Sequence, residues 1–212
     1  MDFDTCVHKR RSCRYYKKKN VPPELIGELL DCGIYAPSAA NLQNWSFIIV
    51  TDEEKRAKIS QLCIKQTWMV DAPVHIVICN DKRQMKKMFP KRGELYSIQG
   101  CSMVAQNILL KTEELGLGSC LVGSFDDDAI QRLLKIPAHI IPEIIITVGY
   151  ADKFEKPSPR TQVNYITYFN EYGNKRRDDT LFPLNKYTKK ADLTVEKEGK
   201  KLFDKLKKAF RG

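Results

Sequence analysis

The residues of this chain with the clearest chemical potential form an arginine cluster near the N-terminus, Lys9-Arg10-Arg11-Ser12-Cys13-Arg14. In an extended segment alternate side chains share a face, so Arg10, Ser12 and Arg14 would point to the same side. Two guanidinium forks and a hydroxyl group on one side make several charge-assisted hydrogen bonds to a phosphate. The alternative is a solvated basic run that continues into Lys17-Lys18-Lys19. Taken alone, the cluster is a weak indication of a phosphate site.

A second polar segment, Ala36-Pro37-Ser38-Ala39-Ala40-Asn41-Leu42-Gln43-Asn44-Trp45, lies between a predicted helix and a predicted strand. Its hydroxyl group, two amides and aromatic ring, at Ser38, Asn41, Gln43 and Trp45, suit a flat ligand that forms hydrogen bonds. The alternative is turn chemistry, because Ser and Asn favour helix ends whatever the function, and a lone Trp is more often a core residue. Together the two segments predict a site for a flat, phosphorylated cofactor.

The elements that must position these segments follow from hydrophobic periodicity and from aspartate, proline and glycine signals. These signals predict helices over residues 2–10, 20–34, 52–63, 94–115 and from 126 onward, with Asn20 or a neighbour as the cap of the second. Apolar, β-branched runs predict strands over 46–51, 74–79 and 144–150. In the longest helix the candidate core positions are Ile98, Met103, Val104, Ile108, Leu109 and Leu115. Long helices between few strands indicate an α+β domain with a small sheet.

The cysteines and histidines argue against a metal site. The seven cysteines are odd in number and show no Cys-x-x-Cys spacing, which disfavours zinc, iron–sulfur clusters and a disulfide framework. We expect buried, reduced thiols; at Cys13, flanking arginines would lower the thiol pKa, so a reactive thiol there is an alternative. The three histidines lack metal-ligand spacing, and His75 is predicted to be a core residue.

The charge of +10 is uneven along the chain. Residues 186–212 hold ten Lys or Arg and four acids, which leaves a mild excess of positive charge on residues 1–185. The excess of positive charge on residues 1–185 fits small anionic ligands better than a nucleic-acid groove. In the basic stretch, an apolar face predicts an amphipathic helix that packs on the rest of the protein; its residues are Leu202, Phe203, Leu206 and Phe210. No apolar run approaches the ~20 residues of a membrane span, and no signal peptide is recognisable. We therefore expect a cytoplasmic protein without nucleic-acid or membrane partners, divided into 1–185 and a basic extension, 186–212.

The order of these motifs resembles the nitroreductase family of FMN-dependent oxidoreductases. The matching blocks are Arg10–Arg14, Ala36–Phe47, Asp71–Pro73, Ala105–Asn107, Gly116–Ser119, Gly123–Asp126, Ile136–Pro137 and Gly149–Tyr150. Each block is weak alone, but their order from residue 10 to about residue 160 is specific to the family. The resemblance implies an α+β fold with a small, mainly antiparallel sheet surrounded by helices, and an intertwined homodimer with FMN at the subunit interface.

The resemblance also implies which residues bind the cofactor. The phosphate and ribityl chain would contact Arg10, Ser12, Arg14 and Arg160, with Arg11 contributing through its backbone or packing. The other subunit would supply Pro37, Ser38, Ala40 and Asn41. The flavin ring would contact Leu121, Val122, Gly123 and Ser124, with the N–H of Gly123 near N5 and with Lys65 or Gln66 at the pyrimidine edge.

The implied activity passes a hydride from NADH or NADPH through FMN to a nitroaromatic, quinone or similar flat acceptor. No catalytic acid or base is expected, because the protein supplies position and electrostatics. Three alternatives remain open: a non-enzymatic flavin-binding or redox-sensing protein, a specialised member such as a reductive dehalogenase or flavin-destroying enzyme, and nucleic-acid binding through the basic extension.

Two residues depart from the family pattern. Asn44 stands where the family usually has proline, and we expect the local turn geometry to differ without loss of binding. Gln99 stands where the long helix usually carries an acid, which affects a local charge contact and not the fold.

Overall fold

Helices and strands alternate along the described residues, 1–155 and 158–175, of this computed structural model. The helices are α1 Phe3–Lys9, α2 Pro23–Ile34, α3 Glu53–Leu62, α4 Arg83–Met88, α5 Gly93–Glu114, α6 Asp127–Leu134 and α7 Val163–Ile166. The strands are β1 Trp45–Val50, β2 Val74–Asp81, β3 Gly118–Val122 and β4 Ile140–Gly149. The chain divides into two units, Met1–Glu155 and Lys156–Gly212.

Aspartates begin three of the helices. The carboxylates of Asp2, Asp52 and Asp126 accept backbone N–H groups in the first turns of α1, α3 and α6, which satisfies donors that the helix itself leaves unpaired. Helix α2 has no side-chain cap: Pro22 flanks it and Pro23 occupies its first position, where a missing N–H costs nothing. Of the predicted alternatives, Asn20 or a neighbour, the neighbour Pro22 is the N-cap residue, and proline in the first turn is confirmed.

The four strands form one antiparallel sheet in the order β1-β2-β4-β3. Val77 of β2 faces Ile145 of β4, and Cys120 of β3 faces Thr147. Two details differ from the sequence prediction: β4 starts earlier, at Ile140, and the segment 119–122 is a strand. The small antiparallel sheet among helices is confirmed.

Both faces of the sheet are covered, so β2 is buried from Val74 to Asn80. The face against α2 and α5 packs Leu29, Ile76, Val104, Ile108 and Ile146. The face against α3 and α6 packs Ile59, Val77, Ile130 and Ile145. Each such side chain contributes roughly 1.5–3 kcal/mol by leaving water.

Helix α5 has an apolar face that the sheet does not cover. Val104 and Ile108 are fully buried, as predicted, but Ile98 and Met103 are 37% and 42% exposed. Leu95, at 45%, lies on the same exposed face. The prediction that Ile98 and Met103 are core residues is wrong for the single chain. Apolar residues lie on several sides of this helix, and only one side meets the sheet. Gln99, Ser102 and Gln106 are also exposed on this helix, and a mixed face with several large apolar side chains is typical of interaction surfaces.

The segment after α1 docks onto the edge strand β3. Ser12 forms a parallel bridge with Ser119, and the N–H of Cys13 donates to the Ser119 carbonyl at 2.8 Å. Close approach requires glycine at 118, since a Cβ there would lie 2.7 Å from Cys13 Sγ. The arginine cluster is thereby held along β3.

In the second unit the structure describes residues 158–175. The ammonium group of Lys175 donates to the carbonyl oxygens of Asn164, Tyr165 and Thr167 around α7. The predicted boundary at 185/186 and the basic extension 186–212 lie outside the described residues. Within the described part, no helix combines the length and the apolar character of a membrane span.

Candidate functional site

The arginine cluster shows the alternation expected of an extended segment. Cys13 is fully buried, whereas Ser12 and Arg14 are only half-buried. Beneath them, Thr147 and Tyr16 form a buried hydrogen bond of 2.8 Å that ties the segment to β4. A rigid backbone with polar side chains on the outer face suits the binding of an anion.

Arg14 forms an exposed ion pair at the outer face of the cluster. Its Nη1 atom lies 3.3 Å from Oε2 of Glu155, and both side chains are substantially exposed, at 39% and 53%. The guanidinium carbon lies 5.8 Å from the ring centre of Trp68. An exposed ion pair contributes at most about 1 kcal/mol, so Arg14 can exchange Glu155 for a stronger anionic partner.

Arg11 acts on the backbone. Its Nη1 donates to the carbonyl oxygens of His8 and Arg10, at 2.7 and 2.8 Å, and so satisfies acceptors at the end of α1. Burial raises the pKa of Glu113, while the positive charges of Arg10 and Arg11 act in the opposite direction. Arg10 and Arg11 therefore lie close enough to α5 to influence its acid.

Cys13 is not a reactive thiol. Burial raises its pKa and outweighs both the hydrogen bond to the Tyr15 backbone and the charge of Arg14. The charge of Arg14 acts in the expected direction, but the pKa is raised overall because the Cys13 side chain is fully buried. Burial likewise raises the pKa of Cys120, behind the cluster.

A cavity of about 720 Å³ lies beyond the end of β3, where Lys65, Gly123 and Ser124 meet. A Cβ on Gly123 would meet no atom within 4 Å, so its backbone is open to a ligand. In β3 itself, Leu121 is exposed and Val122 is buried. Asp126 and Asp127 line the same cavity, so it offers a flat ring a polar backbone and side chains of both charges.

Lys65 and Gln66, the alternatives for the pyrimidine edge, differ in their relation to this cavity. Lys65 lines the cavity with a left-handed φ of 53°. The backbones of both residues are engaged: the Lys65 N–H donates to the Gln61 carbonyl, and the Gln66 N–H donates to the Cys63 carbonyl. Gln66 is not among the residues that line the cavity.

The segment 37–44 forms a strained turn at the start of β1. Ala40, Asn41 and Gln43 have φ of 51°, 55° and 46°, a left-handed region that side chains disfavour. The Ser38 hydroxyl oxygen accepts the Gln43 N–H at 3.0 Å, which leaves the Ser38 proton free to donate. Pro37 and Ser38 line a cavity of about 200 Å³ together with Gln99, so Gln99 is a neighbour of the turn.

One chain does not bring this turn to Gly123. The turn precedes β1 and Gly123 follows β3, and these strands are the two edges of the sheet. Three strand spacings separate them, roughly 14 Å. Arg160 belongs to the second unit and is exposed there; its role stays a prediction.

Comparison with known proteins decides the family. The sequence profile of the nitroreductase family matches residues 7–68 and 62–150 of this chain. The chain belongs to the nitroreductase family. The arginine cluster, the turn before β1 and the Gly123 segment all fall within the matched residues.

Relatives within the nitroreductase family match most of this chain. A protein of Methanothermobacter thermautotrophicus is 38% identical over 154 residues, which are 71% of this chain and 78% of the relative. Its name combines NADH dehydrogenase with NAD(P)H nitroreductase.

Solved structures agree with the fold. The FMN-dependent nitroreductase of Clostridium difficile is 32% identical, with a TM-score of 0.69 over 80% of this chain and 99% of that one. A Parabacteroides distasonis protein, whose name also combines NADH dehydrogenase with NAD(P)H nitroreductase, is 27% identical. Its TM-score is 0.71, over 80% and 98% of the two chains. The predicted nitroreductase-like α+β fold is confirmed.

Two residues of the site escaped sequence reasoning. Trp68 stacks under Arg14, and Glu155 pairs with it across a long stretch of chain. No local pattern could reveal either contact, because both depend on the path of the chain around β3. Among the described residues, no group of three or more His, Cys, Asp or Glu is arranged to hold a metal ion.

Proposed function

We propose that this nitroreductase-family protein is an FMN-dependent oxidoreductase. It passes a hydride from NADH or NADPH to a nitroaromatic, quinone or similar flat acceptor. The observation that carries the proposal is the arrangement along β3: the arginine cluster pairs with Ser119, and the open Gly123 follows the same strand. This spacing suits an extended ligand with a phosphate at one end and a flat ring at the other.

The residues present fit FMN by their chemistry. Arg10, Ser12 and Arg14 offer guanidinium and hydroxyl donors to a phosphate. Gly123 leaves its backbone uncovered, and Lys65 adds a positive charge to the same cavity. The relative from Clostridium difficile is named an FMN-dependent nitroreductase, which supports this choice of cofactor.

FMN, when bound, would supply the hydride chemistry. Arg14 would hold the phosphate in place of Glu155, on a backbone fixed by the Cys13 and Tyr16 hydrogen bonds. Lys65 and the N–H of Gly123 would stabilise negative charge on the ring, because donors fixed in advance need no reorganisation. No side chain of this chain is assigned a proton-transfer step.

We also propose that the protein acts as a homodimer. Leu95, Ile98 and Met103 expose an apolar face on α5. The turn Pro37–Asn41 lies at the opposite sheet edge from Gly123, so it reaches a ring at Gly123 from the second subunit. A dimer therefore covers the apolar face and completes the site.

A cysteine-based redox sensor fits less well. All seven cysteines are free, and burial raises the pKa of each thiol. Thiols with raised pKa values react slowly, because the thiolate is the reactive form. Free thiols agree with a reducing compartment, and we propose that the protein acts in the cytoplasm.

Titration with FMN, followed by sedimentation, tests both proposals. We expect saturable binding of one FMN per chain and the mass of two chains. Purified protein that carries no flavin and does not bind added FMN would refute the cofactor assignment. A stable monomer that binds FMN would refute the shared site.

A further inference from the structure

We infer that Asn44 is a positioning residue that holds the turn Ser38–Gln43 in its left-handed shape by anchoring it to a buried amide network. The inference rests on the proposed role of that turn in the FMN site. Asn44 itself is assigned no contact with the cofactor. It acts through the backbone of the residues that precede it.

The turn needs support from outside itself. Three of its residues, Ala40, Asn41 and Gln43, have positive φ, and such conformations persist only where the surroundings over-determine them. Its own side-chain bonds are exposed: Gln43 N–H to Ser38 Oγ at 3.0 Å, and Gln43 Nε2 to Asn41 Oδ1 at 3.3 Å. Water competes for exposed bonds, so these do not suffice to hold the turn.

Asn44 supplies the missing anchor. It is the first buried residue after the turn, only 9% exposed. Its Nδ2 donates to Asn80 Oδ1 at 2.7 Å and to the Ser97 carbonyl at 3.3 Å. Its own carbonyl accepts the Asp81 N–H at 2.8 Å. The end of the turn is therefore tied to β2 and to α5 at once.

The anchor is itself fixed. Asn80 donates from Nδ2 to Ser97 Oγ at 3.1 Å and to Glu143 Oε1 at 2.8 Å. Glu143 in turn lies 3.4 Å from the ammonium group of Lys82. Hydrogen bonds in a buried network reinforce one another, so the position of Asn44 is defined by elements on three sides.

The donor half of the Asn44 amide carries this role. Its Oδ1 is buried and has no hydrogen-bond partner among the described residues. It faces α5 at Gly100, where a Cβ would lie 3.5 Å away. An apolar side chain of similar size therefore removes the two side-chain hydrogen bonds, including the donor to Asn80 Oδ1, while the backbone bond from the Asp81 N–H to the Asn44 carbonyl stays.

Asparagine also explains the shape of the turn. Proline has no side-chain amide to donate to Asn80 and to the Ser97 carbonyl. It also disfavours α-type conformations in the residue before it. Gln43, with a φ of 46°, precedes position 44. The departure from the family pattern at 44 is thus matched to the conformation at 43.

The test compares three variants of the full-length protein. Asn44→Leu removes both donors. Ser97→Ala removes the Ser97 hydroxyl on α5, which accepts a hydrogen bond from Asn80 Nδ2. Alanine at this position also favours the helix. Thr112→Val is the control: it removes a buried hydrogen bond of 2.7 Å to the Ile108 carbonyl, within α5. FMN dissociation constants and hydrogen–deuterium exchange over residues 36–44 are measured for each variant and the parent protein.

We expect Asn44→Leu to weaken FMN binding about tenfold, which corresponds to about 1.4 kcal/mol. Exchange over 36–44 should accelerate by a similar factor. Ser97→Ala should change both in the same direction by a smaller factor, and Thr112→Val should change neither. An Asn44→Leu protein with unchanged exchange and affinity overturns the inference. So does an equal loss in Thr112→Val, which would show a general effect of stability.

The remaining outcomes also decide. If Asn44→Leu does not fold, Ser97→Ala settles the question, and unchanged exchange in it overturns the inference. If the parent protein does not bind FMN, the proposed function fails, but exchange over 36–44 still tests whether Asn44 holds the turn.

Discussion

Arg14 and Glu155 form an exposed ion pair, 3.3 Å between Nη1 and Oε2, at the outer face of the arginine cluster. The pair joins a residue of the proposed phosphate site to the last residue of the first unit. Both side chains keep access to water, so a phosphate can replace the carboxylate. The pair marks the place where anion binding is tested most simply.

Replacing Arg14 by alanine removes a charged donor to the phosphate. We expect FMN binding to weaken by roughly 1.5–3 kcal/mol, the contribution of a hydrogen bond to a charged group. A fluorescence titration with FMN measures the change. Lys58→Ala is the matched control, because it removes a cation from an exposed pair with Glu54, on α3. Equal affinity of Arg14→Ala and the parent protein would reject the phosphate assignment.

Replacing Glu155 by glutamine should have the opposite effect. The variant keeps the size of the side chain but no longer competes with phosphate for Arg14. Because an exposed pair contributes up to about 1 kcal/mol, FMN affinity should rise by a small factor of up to about fivefold. The gain should shrink at high salt, where the competing pair is already screened. A loss of affinity would mean that Glu155 supports the site.

Gly123 and Gly118 should respond differently to a side chain. Gly123→Val adds atoms to open space, so the melting temperature should stay unchanged while FMN affinity falls at least about tenfold, from overlap with the ring. Gly118→Ala forces a Cβ against Cys13 Sγ, 2.7 Å away. It should cost about 1–3 kcal/mol of unfolding free energy. Thermal unfolding and FMN titration of both variants separate the two roles.

The two glycine variants can also contradict the proposed position of the flavin ring and the packing of the arginine segment. If Gly123→Val binds FMN as tightly as the parent protein, the ring does not lie over Gly123. If Gly118→Ala is as stable as the parent protein, the arginine segment does not pack tightly against β3 at Cys13.

His75 should make stability depend on pH. Burial lowers its pKa to about 4, while its Nε2 donates to the Met69 carbonyl at 2.9 Å. A depressed histidine pKa means that the unfolded chain takes up a proton first. Stability from this group is thus complete above pH ~6.5 and is lost as pH falls toward 4, by about 3 kcal/mol in total.

Urea unfolding between pH 7.5 and 4.5 measures this effect, with His75→Leu as the reference. The difference between the two proteins cancels the carboxylates that titrate in the same range. A difference that does not vary with pH would show that His75 keeps an ordinary pKa in the folded protein.

The local parts of this fold could be predicted from sequence. The caps at Asp52 and Asp126 and the buried strand β2 follow from neighbouring residues, so their patterns are sufficient. The edge strand β3 was harder, because Gly118-Ser119-Cys120 lacks the β-branched residues that mark strands. The exposure of Ile98 and Met103 depends on which face of α5 meets the sheet, and periodicity alone does not contain that information.

Some residues of the candidate site could likewise be predicted from the sequence, and their long-range contacts could not. Arg10, Ser12 and Arg14 could be proposed from alternation, and the family resemblance supplied Gly123. The contacts of Arg14 with Trp68 and Glu155, and of Asn44 with Asn80, join residues far apart in the chain. Such contacts arise only when the sheet assembles, so spacing in the sequence does not encode them visibly.

Anaerobic reduction of the purified protein tests the central claim most directly. The protein should be yellow, and its visible flavin absorption should bleach when NADH or NADPH is added. A quinone or nitroaromatic compound, added next, should restore the absorption. A colourless protein that does not bind added FMN would contradict the claim, as would bound FMN that neither nicotinamide reduces.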